Sequence, residues 1–367
     1  MDDNYLAVGL MSGTSLDGID AALIETDGTR FVRPVAFRSE PYADQARETL
    51  RAAAALALGC DRPRQDFDIL AAEEMLTRSH IQCVRALLDE AGVAPADVAV
   101  VGFHGQTLAH RPDRGWTWQI GDGAAMAAAL RIEVVNDFRA ADVAAGGQGA
   151  PLIPVYHRAL TADLEKPVVV VNIGGVANLT YIGEDALIAF DTGPGNALID
   201  DWMLAETGRR FDENGAFAAM GRIDEERLGS MLDHTWFDMM PPKSLDRTDF
   251  TIQPVRGLGP ADGAVTLTAF TAISISYGIN LLPKRPKRLI VAGGGRHNAT
   301  LMATLGEACH LTPEPIEAIG WNGDATEAEG FAYMAVRTLL GLPISFPGTT
   351  GVPASQVGGV VHPVPAR

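Results

Sequence analysis

A hairpin unit that occurs twice constrains the fold of this chain more than any other feature. Near the amino terminus, an apolar strand at 5–10, a polar turn at 11–18 and a return strand at 19–25 follow one another. Roughly 160 residues later the same order recurs, with a strand at 168–171, a turn at 172–175 and a return strand to 182. Such repetition indicates two lobes of related fold, although many α/β proteins contain two unrelated hairpins.

Both turns are built from small residues of the kind that bind phosphate. The first reads Ser-Gly-Thr-Ser at 12–15, and the second contains Gly174 and Gly175. Backbone N–H groups and hydroxyls in such turns can point at one anion. A single tip of this kind is more often only a turn, but the repetition favours two loops that hold opposite ends of a phosphate chain across a cleft.

A candidate catalytic carboxylate follows the second hairpin. A β-leaning run ends in Asp191, a Gly193-Pro-Gly195 turn comes next, and helical periodicity begins at residue 197. This pattern predicts Asp191 at a strand end that faces a helix N-terminus, where ligands of open α/β sheets and anions bind. The sequence therefore offers Asp191 as a base near phosphates, or else as the N-cap of an ordinary strand–turn–helix corner.

Length and composition limit the class of protein. A chain of 367 residues exceeds a single core, so we expect two α/β domains, divided at 165/166, with the site in the cleft between them. The net charge of −17 argues against a nucleic-acid partner, and no run of eighteen apolar residues occurs. Three dispersed cysteines and an acidic start without a signal peptide favour a reducing, cytoplasmic location.

Polar residues after predicted strands of the first half suggest a small-molecule pocket. His104, Gln106 and Thr107 follow the strand at 98–103. Asp137, Arg139 and Gln148 lie in later turns and offer donors and acceptors for hydroxyls and amides. A structural histidine and an internal Asp137–Arg139 salt bridge are the alternatives for these residues.

Three consecutive glycines toward the C-terminal end of the chain suggest a loop that binds a nucleotide. Gly293, Gly294 and Gly295 follow a strand, but Asn298 stands where a dinucleotide fingerprint needs glycine. We expect an adenine ring to lie on this bare backbone, with Asn298 near the ribose or base. Glu327 opens the next helix, as a substrate contact or as a charge favoured by the helix dipole. Lys243 could reach a phosphate or lie on the surface.

Several common enzyme signatures are missing from the sequence. None of the four lysines follows a glycine, which excludes a P-loop. Asp17 stands where a nucleophile elbow at 13–17 would need its second glycine. No pair of histidines has the spacing of a helical zinc site.

Five segments together resemble the anhydro-N-acetylmuramic acid kinases, namely residues 9–18, 102–107, 142–151, 172–175 and 190–196. The resemblance spans nearly the whole chain, and 293–295 fall where this family has its adenosine loop. It implies a two-lobe actin-like (ribonuclease H-like) ATPase fold with a duplicated core and a cleft between the lobes. It also implies that ATP, Mg²⁺ and water convert 1,6-anhydro-N-acetylmuramic acid to the 6-phosphate of N-acetylmuramic acid in cell-wall recycling.

The resemblance also assigns roles to residues of this chain. Asp191 matches the catalytic base, which activates water because oxygen 6 of the anhydro sugar carries no proton. The nucleotide-binding residues it implies are Ser12, Gly13, Thr14, Ser15, Asp17, Gly174, Gly175, Gly193, Gly195, Gly293, Gly294, Gly295 and Asn298. The weaker assignments are the sugar contacts His104, Gln106, Thr107, Asp137, Arg139, Gln148 and Glu327.

The resemblance leaves some questions open. Hexokinase-like proteins carry an aspartate in the first strand where Gly9 or Leu10 stands here, so the sequence gives no Mg²⁺ anchor. The alternatives are an ordinary amino-sugar kinase, which needs no water, and a nucleotide-driven actin-like binding protein. We expect a homodimer, although no pattern in the sequence reports the oligomeric state.

Overall fold

The computed structural model describes residues 4–366 and divides them into two compact units. The first unit contains the described residues up to Ala162 and those from Asp324 onward, and the second unit is Asp163–Gly323. The strands are β1 Tyr5–Ser12, β2 Gly18–Thr26, β3 Val32–Pro41, β4 Val100–Arg111, β5 Trp116–Ile120, β6 Glu133–Asn136, β7 Val168–Ile173, β8 Val176–Ile182, β9 Leu187–Pro194, β10 Arg288–Ala292, β11 Pro313–Pro315 and β12 Val360–His362.

Helices cover or flank both sheets. They are α1 Asp44–Leu58, α2 Phe67–Ala91, α3 Gly123–Leu130, α4 Ala140–Ala144, α5 Pro154–Leu160, α6 Ala197–Thr207, α7 Glu225–Leu232, α8 Pro260–Asn280, α9 Ala299–Cys309, α10 Thr326–Leu339 and α11 Pro347–Thr350. Within the described residues, no helix is long and apolar enough to cross a membrane.

The two sheets share a core of five strands with the same connectivity, to which the first sheet adds β5 and β12. In the first unit the order is β12-β6-β4-β1-β2-β3, with β1, β2 and β3 antiparallel and with β4 parallel to β1 and β6 parallel to β4. In the second unit the order is β11-β10-β7-β8-β9, with β7, β8 and β9 antiparallel and with β10 and β11 parallel to β7. The predicted α/β fold with a duplicated core is therefore confirmed.

Helix α10 packs directly on the backbone of the first sheet. A Cβ added to Gly9 on β1 would lie 1.9 Å from the carbonyl oxygen of Ala328, and one on Gly102 of β4 would lie 2.1 Å from that of Phe331. Only glycine allows so close an approach between a helix and a strand. The two strands therefore require these glycines for packing.

The predicted division of the chain differs from the observed units in its last segment. The boundary at 165/166 agrees to within a few residues with the start of the second unit at Asp163, but residues from Asp324 onward pack with the first unit. The reason is that α10 covers β1, β2 and β4, and β12 pairs with β6. Hydrophobic burial, rather than chain order, assigns this segment to the first unit.

Three predicted elements end at different places. Strand β4 continues to Arg111 because its second half pairs with β5, so His104, Gln106 and Thr107 lie inside a strand and not after it. Strand β9 continues to Pro194. The sequence also predicts a buried helix at 262–277 with Asp262 as its N-cap. Helix α8 begins at Pro260 instead, and Oδ1 of Asp262 accepts the N–H of Arg222 at 2.8 Å.

Candidate active-site residues

Asp191 lies on β9, the edge strand of the second sheet, where a loop closes over it. Its backbone N–H donates to the carbonyl of Lys243 at 3.1 Å, and the N–H of Leu245 donates to its Oδ2 at 2.8 Å. Burial raises the pKa of this carboxyl to about 6, while the hydrogen bond from Leu245 acts in the opposite direction. A carboxylate with a pKa near neutrality can accept a proton from water at physiological pH.

Neither predicted placement of Asp191 is correct in detail. It pairs with Asn178 of β8, and the ladder continues beyond it to Pro194. Asn196, not Asp191, occupies the N-cap position of α6. Proline can extend β9 because this is an edge strand, where a missing N–H on the open side costs no ladder bond. Asp191 therefore projects from a strand interior.

The Gly174–Gly175 turn is joined to the start of α6 by backbone hydrogen bonds. Gly174 accepts from the N–H of Asn196 at 2.7 Å, and Gly175 accepts from that of Gly195 at 2.9 Å. A Cβ on Gly195 would lie 2.2 Å from the carbonyl oxygen of Gly174. Gly193 adopts φ 152°, and a Cβ on it would lie 2.7 Å from Cβ of Ser274. Close packing therefore explains Gly193 and Gly195, and Gly175 remains exposed at the tip.

Two of the three glycines at 293–295 are also explained by packing. A Cβ on Gly293 would lie 2.4 Å from Oδ1 of Asn172, and one on Gly295 would lie 2.5 Å from Cγ2 of Ile173. Gly294 meets no such neighbour and lines a cavity. Asn298 caps α9, since its Oδ1 accepts the N–H of Leu301 at 2.9 Å. Only Gly294 thus offers bare backbone to a ligand.

The cavity beside Gly294 lies wholly within the second unit. Its volume is about 440 Å³, and its walls combine amide, carboxylate and aromatic side chains. It is lined by Asn196, Ile199, Asp200, Phe211, Asp212, Glu213, Asn214, Gly294, His297 and Asn298. Burial, together with the neighbouring charge of Asp201, raises the pKa of Asp200 to about 6. The sequence analysis missed Asp200, because nothing in a helical run predicts which face meets a cavity.

In the first hairpin, the Ser12 hydroxyl is already used inside the protein. Its Oγ donates to Oε1 of Gln106 at 2.6 Å, and the hydroxyl oxygen of Tyr42 lies 2.8 Å from Oγ of Ser12. Because Ser12 spends its one hydrogen on the amide oxygen, Tyr42 is the donor in the second bond. Gln106 also donates to the carbonyl of Gly13 at 3.2 Å. Gln106 therefore braces this turn and does not present a free amide to a sugar.

The tip of the first hairpin presents its remaining polar groups to solvent. Thr14, Ser15 and Asp17 are exposed. The turn is closed by the N–H of Leu16, which donates to the carbonyl of Gly13 at 3.1 Å. The hydroxyls of Thr14 and Ser15 are thus the groups of this turn that can meet a phosphate.

His104 supports Arg139 by a bond that also fixes the histidine tautomer. Both Nε and Nη2 of Arg139 lie 3.1 Å from Nε2 of His104, and arginine only donates. The ring hydrogen is therefore on Nδ1, which lies 2.8 Å from the carbonyl of Gly105. Burial, reinforced by the charge of Arg139, holds the pKa of His104 well below its usual value. His104 is thus a neutral structural histidine, with both ring nitrogens occupied.

Arg139 remains a cation available to a ligand. Burial lowers its pKa to about 10, and the charges of Glu327 and Asp142 oppose that effect. Its Nη1 donates to the carbonyl of Gly149 at 2.8 Å. The alternative of an Asp137–Arg139 salt bridge is wrong for the described residues, because Arg139 turns to His104 instead.

The remaining predicted sugar contacts differ in how free they are. Gln148 is exposed, and its backbone is fixed by a bond from its N–H to the carbonyl of Thr350 at 2.7 Å. Asp137 adopts φ 52°, and burial raises its pKa. The Thr107 hydroxyl accepts from Gln119 at 3.1 Å. Asp137 and Gln148 can therefore reach a ligand more readily than Thr107.

Glu327 and Asp20 form an acidic pair of the first unit. The sequence singled out Glu327 as a candidate site residue, but not Asp20. Glu327 is the second residue of α10, and burial raises its pKa, with Arg139 opposing and Asp20 adding to the shift. The pKa of Asp20 is raised by burial and by the carboxylates of Asp324 and Asp17, against a hydrogen bond from Ser39. Asp20 pairs with Met11 beside the first turn, a position that strand alternation could have singled out.

A resident metal finds no ready-made site in the part of the chain that the structure describes. No group of three histidine, cysteine, aspartate or glutamate side chains is arranged to hold an ion. The acidic groups around Asp20 repel one another but do not converge.

Taken together, the duplicated α/β core, a glycine-containing turn in each unit and a strand-borne carboxylate with a raised pKa fit a phosphotransferase of the sugar-kinase class. A family model described as anhydro-N-acetylmuramic acid kinase matches residues 5–364. The chain belongs to the anhydro-N-acetylmuramic acid kinase family.

Individual relatives agree with this membership. Proteins named anhydro-N-acetylmuramic acid kinase from Rhizorhabdus wittichii and Zymomonas mobilis subsp. mobilis are 70% and 52% identical to this chain. Each alignment covers 97% of this chain, and 98% and 99% of the respective relative. Among solved structures, component A of the (R)-2-hydroxyglutaryl-CoA dehydratase of Acidaminococcus fermentans aligns with a TM-score of 0.48 at 11% identity, over 92% of this chain and 99% of that chain.

Proposed function

We propose that this protein uses ATP and water to convert 1,6-anhydro-N-acetylmuramic acid to N-acetylmuramic acid 6-phosphate, with release of ADP, in cell-wall recycling. The observation that carries the proposal is family membership over residues 5–364. Within this proposal Asp191 is the base, because residues 190–196 resemble the family's motif. The raised pKa of Asp191 supports it, because such a carboxylate is a stronger base than an exposed aspartate.

The chemistry of the anhydro sugar explains why a base must act on water. Oxygen 6 is tied to carbon 1 in an internal ether, so it has no proton to lose. Asp191 takes a proton from water, the water oxygen bonds to carbon 1, and the bond from carbon 1 to oxygen 6 breaks. Oxygen 6 then takes the γ-phosphoryl group, and ADP leaves. Asp191 then releases the proton it took from water. The balance is one ATP, one water and one anhydro sugar to one phosphosugar, one ADP and one proton.

The cavity beside Gly294 is the proposed place for the nucleoside of ATP. Its volume of about 440 Å³ is in the range of small-ligand pockets. Phe211 offers an aromatic face to a base, and Asp200 offers oxygens to ribose hydroxyls. We further propose that Gly174 and Gly175 in the second unit, and Gly13, Thr14 and Ser15 in the first, contact the phosphates.

The sugar is proposed to contact Arg139 and Glu327. Arg139 keeps donors beyond its bonds to His104 and Gly149, and the muramic acid substituent of the substrate carries a carboxylate that a guanidinium can bind. Glu327 is accessible to solvent and can accept from a sugar hydroxyl. Asp137 and Gln148 are further candidates for the hydroxyl and N-acetyl groups.

Incubation with ATP, Mg²⁺ and the anhydro sugar in ¹⁸O-labelled water tests the reaction. We expect a 6-phosphosugar with one ¹⁸O at carbon 1, measured by mass spectrometry. Asp191→Asn should slow its formation by about 100- to 10,000-fold, since a general base is lost. Asp185→Asn, which changes an exposed carboxylate in the β8–β9 turn, is the matched control and should be fully active.

A second control excludes exchange at the reducing end, because unlabelled product incubated in the same water must stay unlabelled. An ordinary amino-sugar kinase would instead phosphorylate N-acetylglucosamine and leave the anhydro sugar untouched. A nucleotide-driven binding protein would hydrolyse ATP without making any phosphosugar. Either result would overturn the proposed substrate.

We also propose that the protein is a cytoplasmic homodimer. The oligomeric state is tested by light scattering on the eluate of a size-exclusion column, where the dimer would have twice the chain mass of 38.9 kDa. A mass of 38.9 kDa at assay concentrations would contradict the dimer.

A further inference from the structure

The loop of residues 241–245, called the clamp loop below, covers the free edge of β9 at Asp191. Two hydrogen bonds join them, from the backbone N–H of Asp191 to Lys243 and from the N–H of Leu245 to Oδ2 of Asp191. Among the described residues, none donates a hydrogen bond to Oδ1. The clamp loop therefore occupies one carboxylate oxygen and leaves the other for a ligand.

The side chain of Lys243 turns inward from this loop. It is only 8% exposed. Its Nζ donates to the carbonyls of Trp236 and Phe237, at 3.2 and 3.4 Å, and lies 4.1 Å from the centre of the Trp236 ring. These partners belong to the 3-10 helix Thr235–Asp238. Lys243 thus ties the clamp loop to a second element of the same unit.

Burial of the Lys243 ammonium without an ion-pair partner costs free energy. Burial lowers the pKa of Lys243, and the only charge that opposes the shift is that of Asp238, which forms no ion pair with it. An apolar side chain would be buried at lower cost. What lysine adds is a set of directional donors that fix the loop at one place. The surface position raised by the sequence is wrong, because the Lys243 side chain is buried.

We propose that Lys243 is a positioning residue for Asp191, acting through the clamp loop. Its bonds to Trp236 and Phe237 hold the Leu245 N–H on Oδ2, so that Oδ1 alone faces the water to be activated. This inference rests on the proposed function of Asp191 as the base, but the bond network itself is independent of the substrate.

Few titratable groups compete for the effect on Asp191. The elements packed against β9 and the clamp loop carry Tyr181 on β8, Asp262 and Tyr277 on α8, and Asp238 on the 3-10 helix. The loop itself carries Lys243, and Asp246 follows it directly. None of them contributes a charge to the pKa of Asp191, which is set by burial and by the Leu245 N–H. A change in that pKa therefore reports on the clamp loop.

The test compares Lys243→Met, which keeps the length of the side chain but loses its donors, with Lys284→Met at an exposed lysine. For Lys243→Met we expect kcat to fall about tenfold to a hundredfold, with the KM for the sugar unchanged. The acid limb of the kcat profile should move to higher pH. The hydrogen bond from the Leu245 N–H favours the carboxylate of Asp191, so its loss raises the pKa of that group. Lys243→Arg should restore part of kcat, since a guanidinium can donate to the same carbonyls.

A second measurement needs no substrate. The carboxyl resonance of Asp191, from ¹³C-labelled aspartate and assigned by its loss in Asp191→Asn, is titrated in each variant. A higher pKa in Lys243→Met than in Lys284→Met supports the proposal even if the protein proves not to be a kinase. An unchanged or lower pKa of Asp191 in a folded Lys243→Met, or an unchanged kcat, would overturn the proposal. If Lys243→Met does not fold, the same comparison is made with Lys243→Arg. For that variant, an unshifted pKa of Asp191 together with a kcat below one tenth of wild type would overturn the proposal.

Discussion

Two opposing influences act on the carboxyl group of Asp191. Burial favours the protonated form, and the Leu245 N–H favours the carboxylate. The net result is a pKa of about 6, above that of an exposed aspartate. A group of this kind is mostly ionised at pH 7 yet remains basic enough to take a proton.

The pH dependence of the reaction follows from this value. As the base must be ionised, kcat/KM should rise about tenfold per pH unit below pH 6 and level off above it. The measurement is a pH profile of kcat/KM for the sugar between pH 4.5 and 8, at constant ionic strength. An acid limb near pH 4 would contradict it, because Asp191 would then behave as an exposed carboxyl.

At this scale, sequence patterns predicted the residue types but not their roles. The Ser12, His104 and Gln106 side chains were expected at a ligand, yet all three are buried and bonded to other protein groups. Sequence patterns specify which atoms could bind a ligand. They do not show whether the protein itself has already satisfied those atoms.

Among the elements, helix α10 depends most on the absence of side chains opposite it. It is buried along most of its length, and it lies on β1 and β4 where Gly9 and Gly102 leave the backbone bare. A methyl group at either glycine would meet a helix carbonyl at about 2 Å, where neither backbone can yield cheaply.

Gly102→Ala should therefore destabilise the first unit by at least about 2 kcal/mol. The measurement is urea unfolding followed by circular dichroism. The matched control is Gly229→Ala in α7, where an added Cβ meets nothing within 4 Å. That change should be neutral or stabilising by up to about 1 kcal/mol, because alanine is the better helix former. Equal stabilities of the two variants would refute the close packing of α10.

The boundaries of the elements depend partly on the local sequence pattern and partly on partners from elsewhere in the chain. Strand β7 begins at Val168 and strand β8 ends at Ile182, as their apolar runs predict. Strands β4 and β9 run further than predicted, because β5 and β8 supply hydrogen-bond partners for their second halves. A strand ends where its partner ends, and the partner cannot be read from the strand's own residues.

For the whole molecule, the first unit is discontinuous in sequence and the second is continuous. The fragment 163–323 contains every strand of its own sheet and the helices α8 and α9 that cover it. The fragment 1–162 lacks α10, which covers β1, β2 and β4. The two fragments should therefore differ in their ability to fold alone.

We expect fragment 163–323 to unfold cooperatively in urea and fragment 1–162 to show no cooperative transition. Coexpression of 1–162 with 324–367 should restore a folded first unit, because α10 and β12 then cover and extend the sheet. Circular dichroism and amide hydrogen exchange provide the measurements. A cooperative transition of 1–162 alone would show that α10 is dispensable for this core.

The sequence by itself determined the α/β class, the duplicated hairpin and the family, because these depend on local periodicity, turn chemistry and motif order. Only the tertiary structure decided that α10 completes the first unit, that Gly293 and Gly295 serve packing while Gly294 lines a cavity, and that the Asp191 N–H donates to the carbonyl of Lys243. The physical reason is that burial and hydrogen-bond satisfaction depend on residues distant in the chain.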